Sequence, residues 1–148
     1  MHILTIKEWT KMAYMNQEKK ATISAQVKPI FKKYGIKGSL AVRNYSTIVV
    51  NIKSGPLDFI GNANAVQKAR CDIGRDYRII TDRYLQVNPY WYQENFTGEC
   101  KAFFEELFQA VKSAEWYNNS DAMIDYFDTA YYFDVNVGRW DKPYELTN

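Results

Sequence analysis

Hydrophobic residues along this chain recur first at helical spacing and then at strand spacing. In residues 17–34 the apolar side chains return every three or four positions, and Gly35 follows as a typical helix end. These apolar positions are Ile23, Val27, Ile30, Phe31 and Tyr34. Because Pro29 lies inside the segment and cannot donate a backbone hydrogen bond, we expect the helix to kink or break near Val27.

Large apolar residues recur at every second position after this helix. Leu40 and Val42 in residues 39–44, and Ile48, Val50 and Ile52 in residues 47–53, predict two strands of a hairpin joined by a tight turn. Residues 54–56 (Ser-Gly-Pro) end the second strand, since proline cannot donate to a ladder. Residues 61–82 show little period, so we expect a mobile excursion there, with a short helix over 63–70.

The second half of the chain predicts two more strands and a second long helix. Residues 84–92 alternate again, and Pro89 marks this strand as an edge strand or a bulge. Thr97 is placed to cap a helix over residues 97–113, whose apolar face is the clearest in the chain. Residues 131–137 alternate once more and predict the last strand.

This order of elements predicts one α+β domain over residues 1–148. We expect an antiparallel sheet of about four strands, with two main amphipathic helices packed on one face. For residues 1–16 we expect either a short helix or a frayed N-terminal extension. A chain of 148 residues is long enough to bury a sizeable core in a single domain.

Composition narrows the class of protein. Hydrophobic residues make up 47% of the chain, too many for disorder, while the apolar runs are too short to span a bilayer. The N-terminus lacks the pattern of a secretory signal, so we expect a protein of the cytoplasm that contacts no membrane. With a single histidine, His2, and two widely spaced cysteines, Cys71 and Cys100, the sequence predicts reduced thiols, no metal site and no cofactor.

The charges are divided unevenly along the chain, although the net charge is only +2. Residues 1–93 carry 15 Lys and Arg against 6 Asp and Glu, whereas residues 94–148 carry 4 against 11. Such a split predicts oppositely charged surfaces, which are more typical of macromolecular partners than of small metabolites.

Exposed aromatic side chains are the first candidates for a binding site. Tyr84, Tyr90 and Tyr92 share one face of the predicted strand, opposite the residues that would form the core. Together with Tyr132 and Trp140 they could anchor a protein partner. The alternative is that some of these rings simply fill the core, because the chain contains twelve tyrosines.

Basic residues of the N-terminal half suggest nucleic acid as an alternative partner. They could follow a phosphate backbone, although a solvated helix face explains the lysines equally well. The candidates for this site are Lys28, Lys32, Lys33, Lys37, Arg75 and Arg78.

Three aspartates give a third and weaker alternative. Asp121, Asp125 and Asp128 share one face of a short predicted helix, and Asp134 follows on the next strand. Clustered carboxylates can hold Mg²⁺ for a metal-dependent phosphoesterase, but a solvated acidic face accounts for the same pattern. With no histidine-based triad and no phosphate-binding glycine loop, we predict that the protein is not an enzyme.

Several short segments resemble the large polyvalent protein-associated domains of phages and conjugative elements. The similar segments are residues 34–35, 39–42, 46–52, 54–56, 125–128 and 138–144. The resemblance implies a mobile-element protein that acts in the host cytoplasm, and it transfers no catalytic motif. The leading prediction is therefore a non-enzymatic phage or mobile-element protein that binds a host protein or nucleoprotein complex, with counter-defence inhibition as one form of this role.

Overall fold

The structure, a computed structural model, describes residues 13–71, 80–118 and 129–147. Helices in these ranges are α1 (Gln17–Tyr34), α2 (Phe59–Cys71), α3 (Tyr92–Asn95) and α4 (Gly98–Val111). The strands are β1 (Lys37–Arg43), β2 (Thr47–Gly55), β3 (Leu85–Val87), β4 (Tyr132–Val137) and β5 (Glu145–Leu146). The predicted single α+β domain is confirmed.

The strands form one mixed sheet in the order β1-β2-β4-β3. The β1–β2 and β3–β4 pairs are antiparallel, but β4 and β5 both run parallel to β2. The expectation of a purely antiparallel sheet is therefore wrong. Between β2 and β4 the chain passes through α2, β3, α3 and α4 instead of returning through a tight turn, and such a long crossover allows a parallel pair.

The core lies on one side of this sheet. Ile48, Val50 and Ile52, which alternate along β2, are at most 1% exposed and belong to one cluster of buried side chains. Helical side chains that complete the cluster are Ile23, Val27 and Phe31 of α1, Phe59 and Ala63 of α2, and Phe103, Phe104 and Leu107 of α4. The described helices thus pack on one face of the sheet, as the sequence predicts.

Helix α1 is continuous, so the break expected at Pro29 is absent. Asn16 caps its N-terminus, where Oδ1 accepts a hydrogen bond from the Lys19 backbone N–H at 2.8 Å. At the other end Gly35 adopts a left-handed φ of +70°, the conformation that favours glycine after a helix. Val27 and Phe31 are buried on either side of Pro29, and this packing holds the helix together where one backbone hydrogen bond is missing.

The strand predicted over residues 84–92 is much shorter than expected. Only Leu85–Val87 pairs with β4. The Asn88 carbonyl then accepts hydrogen bonds from the Trp91 and Tyr92 backbone N–H groups, which turns the chain into α3. A strand through residue 92 is therefore wrong, because local hydrogen bonds at Asn88 replace the ladder.

Other predictions fall partly outside the described residues. The short helix expected over 63–70 is confirmed as part of α2, so residues 61–71 of the predicted excursion are helical. Residues 72–79 lie outside the described part of the chain, and so do residues 1–12 and the short helix expected from Asp121. The helix expected over 97–113 is confirmed as α4, Gly98–Val111.

Candidate functional site

The sheet has an outer face, which points away from the helices and is formed by the odd-numbered residues of β2 and their neighbours. In register, Thr47 lies between Arg43 and Tyr132, and the next pair along β2 places Val49 beside Asp134. The remaining positions of this face are Ser39, Ala41, Asn51, Lys53, Gln86 and Asn136. No described helix contributes buried side chains to this side of the sheet.

An ion pair covers the middle of the outer face. The Arg43 guanidinium on β1 donates to the Asp134 carboxylate on β4, and so it reaches across β2. Thr47 and Val49, the β2 residues beneath this pair, are only 6% and 8% exposed. The accessible part of the outer face therefore begins beyond them, towards the C-terminal end of β2.

A cleft of about 610 Å³ occupies that end of the sheet. β4 ends opposite Ile52 of β2, and β5 begins opposite Ser54 of the same strand. Residues 138–144, which connect β4 to β5, therefore form a loop that leaves the sheet and returns to it at nearly the same place. This segment forms one wall of the cleft, and residues of β1 and β2 form the other. The cleft is thus a consequence of the interruption between two collinear parallel strands.

The wall formed by residues 138–144 is held by backbone hydrogen bonds at a tight turn. Arg139 N–H donates to the Lys142 carbonyl at 2.8 Å, and Lys142 N–H donates to the Arg139 carbonyl at 3.2 Å. Gly138 begins the turn at a φ of +69°, where a Cβ atom would stand 2.4 Å from the Tyr144 nitrogen. At the base, the buried Tyr144 hydroxyl donates to the Leu57 carbonyl at 2.7 Å. The turn is therefore fixed at both ends.

Charges of both signs line the cleft. Arg139 Nε lies 3.8 Å from Asp141 Oδ1, a loose and exposed pair. Lys53, Lys142 and Glu145 also line the cleft and are exposed, and none of them forms an ion pair with another described residue. Three unpaired charges, two positive and one negative, are thus open to a partner at this site.

Trp140 stands at the tip of the turn, between two residues that line the cleft, and is 80% exposed. Tyr84, which is 37% exposed, directly precedes β3, whose first residue, Leu85, pairs with Val137, the residue before Gly138. Tyr132 is 48% exposed but lies at the opposite end of β4. The structure therefore brings Tyr84 and Trp140 to the same end of the sheet and leaves Tyr132 apart from them.

The other two tyrosines of the predicted site separate from each other. Tyr90 is 76% exposed, whereas Tyr92 is 9% exposed and packs against Phe108 with ring centroids 4.9 Å apart. The shared face of Tyr84, Tyr90 and Tyr92 does not exist, because the strand ends at residue 87. Tyr92 belongs to the core, and Tyr90 borders a separate shallow groove beside α4.

Among the basic candidates, Lys33 is already engaged. Glu106 on α4 accepts hydrogen bonds from the Tyr34 hydroxyl and from Lys33 Nζ, the latter at 2.9 Å. The Tyr34 hydrogen bond first, and the Lys33 hydrogen bond second, lower the pKa of Glu106, while the same bonds raise the pKa of Tyr34 and Lys33. Lys28, Lys32 and Lys37 are exposed and unpaired among the described residues, whereas Arg75 and Arg78 lie outside them.

Few of the described residues are available for catalysis or metal binding. Asp121, Asp125 and Asp128 lie outside the described residues, and Asp134 is engaged by Arg43. In the described ranges no group of three or more His, Cys, Asp or Glu side chains is arranged to hold a metal ion. Burial raises the pKa of the Cys100 thiol to about 11, so this cysteine is not a thiolate nucleophile at neutral pH.

No protein-family model, curated protein or solved structure matches this chain. The resemblance to the polyvalent protein-associated domains therefore rests on the residues quoted for it. No helix in the described part of the chain is long and apolar enough to span a bilayer. Any function must accordingly be argued from the site itself.

Sequence reasoning did not identify the charged lining of the cleft. The sequence pattern places Lys53 in a strand and does not group Lys142 and Glu145 with it. The available signal was the pair of Gly138 and Pro143 around a Trp-Asp turn directly after a strand. The pattern indicates a turn, but only the parallel pairing of β4 and β5 with β2 places that turn beside Lys53.

Proposed function

We propose that this protein is a non-catalytic binding module that docks a partner protein at the cleft and at the two neighbouring aromatic residues, Tyr84 and Trp140. The observation that carries the proposal is a tryptophan, 80% exposed, on a turn fixed by two backbone hydrogen bonds beside a cleft of about 610 Å³. Because the backbone of this turn is already fixed, a partner that covers the tryptophan has to order its side chain but not the loop that carries it.

The chemistry of the site favours protein over nucleic acid. Tryptophan, tyrosine and arginine are the residues that most often dominate protein interfaces. The cleft also presents Asp141 and Glu145 among its basic residues, and these carboxylates would repel a phosphate backbone. A partner surface that carries charges of both signs complements the site better.

The resemblance in sequence suggests a biological form for this function. A phage or mobile-element protein of the host cytoplasm could occupy a host protein or nucleoprotein complex and inhibit a defence system. In that role the rigid turn would insert Trp140 into the partner, and the charged cleft would set the orientation of the complex.

The test compares Trp140→Ala with Tyr45→Ala in capture from nuclease-treated host-cell lysate, followed by affinity measurement with the purified partner. Tyr45 is a matched control, because it is also 80% exposed but lies at the opposite end of the sheet, in the β1–β2 turn. We expect Trp140→Ala to weaken binding by about 30-fold or more, the effect typical of a hot spot, and Tyr45→Ala to leave it unchanged. The proposal would be refuted if the protein captured a partner only from lysate not treated with nuclease, or if both variants lost partner binding equally.

A further inference from the structure

The free edge of the sheet is a second surface with unused binding capacity. Among the described strands, β1 is an end strand of seven residues without proline, and it pairs only with β2. Within the same residues, the one additional backbone hydrogen bond to β1 comes from Ser46 N–H to the Arg43 carbonyl in the adjacent turn. In the part of the chain that the structure describes, no further strand therefore pairs with the outward N–H and C=O groups of β1.

Burial along β1 supports the same conclusion. Leu40 and Val42 face the core, yet they are only partly buried, while their partners on β2, Val50 and Ile48, are 0% exposed. The difference arises because β1 has a neighbour on one side only. A strand added at this edge would cover the remaining apolar surface of Leu40 and Val42.

The segment that contains this edge is rich in basic residues. From residue 19 to residue 57, which covers α1 after its first two residues and all of β1 and β2, the sequence contains no aspartate or glutamate. Its basic residues are Lys19, Lys20, Lys28, Lys32, Lys33, Lys37, Arg43 and Lys53. Only Lys33 and Arg43 form ion pairs with other described residues.

Unpaired lysines lie on α1 and on β1, the two neighbouring elements at this edge. α1 packs against α4 on one flank, where Lys33 reaches Glu106, and it also packs against β1. Lys32 is turned by about 100° from Lys33, and Lys28 lies one helical turn from Lys32 on the same face. The face that carries Lys28 and Lys32 is therefore turned away from the α4 flank, and Lys37 begins the edge strand itself.

We infer that the free edge of β1 takes up an extended acidic polypeptide segment as an additional strand. Strand addition uses the unpaired backbone groups, and the lysines supply charge complementarity. Nucleic acid would satisfy the lysines but not the backbone carbonyls or the apolar side chains of Leu40 and Val42. A second copy of this chain fits poorly, because antiparallel pairing centred on Leu40 would place Lys37 opposite Arg43 of the other copy.

The test uses purified protein and four fluorescent probes. They are a capped seven-residue peptide of alternating glutamate and valine, the same peptide with lysine in place of glutamate, the glutamate peptide with a central proline, and a single-stranded oligonucleotide. We expect the glutamate peptide to bind and to slow hydrogen exchange of amides in β1. We expect the lysine peptide not to bind, and the proline peptide to bind about tenfold more weakly or worse, because proline cannot donate to the ladder.

Protein variants separate the edge from general charge. Lys32→Glu combined with Lys37→Glu should weaken binding of the glutamate peptide by about tenfold or more, whereas Lys68→Glu, an exposed control on α2, should have little effect. Tighter binding of the oligonucleotide, equal binding of the proline peptide, or binding without protection of β1 amides would overturn the inference. β1 also contributes Ser39 to the cleft, so Trp140→Ala separates the two proposals: it should leave binding of the glutamate peptide unchanged.

Discussion

The two faces of β2 differ in burial and in the chemistry of their side chains. On the inner face, Ile48, Val50 and Ile52 are at most 1% exposed and contact the helices through a single core. On the outer face, Asn51 is partly exposed and Lys53 is exposed, and both line the cleft. The comparison indicates that the exposed side chains of the cleft, unlike Ile52 and Gly138, can vary in sequence without loss of the fold.

The largest loss of stability is expected from substitutions in the core that covers the inner face of β2. Phe104 is fully buried, and its ring centroid lies 4.7 Å from that of Phe96 and 5.0 Å from that of Phe59. Phe104→Ala should lower the free energy of unfolding by about 3–5 kcal/mol, since it opens a cavity among rigid rings. Urea denaturation measures the loss, and Gln109→Ala, at an exposed position of α4, should change it by less than about 0.5 kcal/mol. A loss below about 1 kcal/mol for Phe104→Ala would contradict this packing.

Tyr131 and Tyr132 are adjacent in the chain but differ in burial, so they allow a buried and an exposed tyrosine to be compared. Tyr131 is 0% exposed, its hydroxyl donates to the Val111 carbonyl at 2.6 Å, and burial raises its pKa to about 12. The folded state therefore keeps this proton at pH values where the unfolded state, with an ordinary pKa of 10, has lost it. It follows that the stability contributed by Tyr131 is intact below pH 10 and falls as the pH rises towards 12.

Replacement by phenylalanine should distinguish these two tyrosines. Tyr131→Phe should cost about 1 kcal/mol at pH 7, because the buried Val111 carbonyl loses its hydrogen bond, and should reduce the loss of stability above pH 10. Tyr132→Phe, at a position 48% exposed on the outer face, should change neither quantity. Denaturant melts between pH 7 and 11 provide the measurement, and identical pH profiles for the two variants would show that Tyr131 is not the buried group.

A smaller contribution to the free energy of unfolding is expected from the ion pair of the outer face. Arg43 and Asp134 are 54% and 23% exposed, so water and salt screen their attraction. A double-mutant cycle with Arg43→Ala and Asp134→Ala should give a coupling energy below about 1 kcal/mol, lower still in high salt. A coupling above about 2 kcal/mol that persists in high salt would mean that the outer face contributes to stability much as the inner face does.

Alternation along the chain was sufficient to predict most of the fold but little of the site. The hairpin, α1, α4 and the inner face of β4 follow from local periodicity, because each element buries one face of its own sequence. Parallel pairing of β4 and β5 with β2 depends on partners far apart in the chain, which no local pattern encodes. The cleft results from this pairing, so Lys53, Lys142 and Glu145 could not be grouped in advance.

The uneven distribution of charge along the sequence likewise fails to predict the charged surfaces of the fold. The excess of basic residues before position 94 and of acidic residues after it predicts two opposite surfaces, yet the fold brings the two halves together. Lys33 pairs with Glu106, and Arg43 pairs with Asp134, each across this boundary. Charge along a sequence therefore does not translate directly into charge on a surface, and only the unpaired residues remain for partners.

The smallest effect on stability is expected at the centre of the proposed site. The Trp140 side chain makes no ring contact or hydrogen bond with another described residue, and it is 80% exposed. Trp140→Ala should therefore change the free energy of unfolding by less than about 0.5 kcal/mol and shift Tm by no more than about 2 °C. The same substitution should weaken partner binding strongly, so that stability and recognition separate at a single residue. If instead Tm falls by several degrees, Trp140 packs against the fold, and its exposure can no longer be explained by a role in docking.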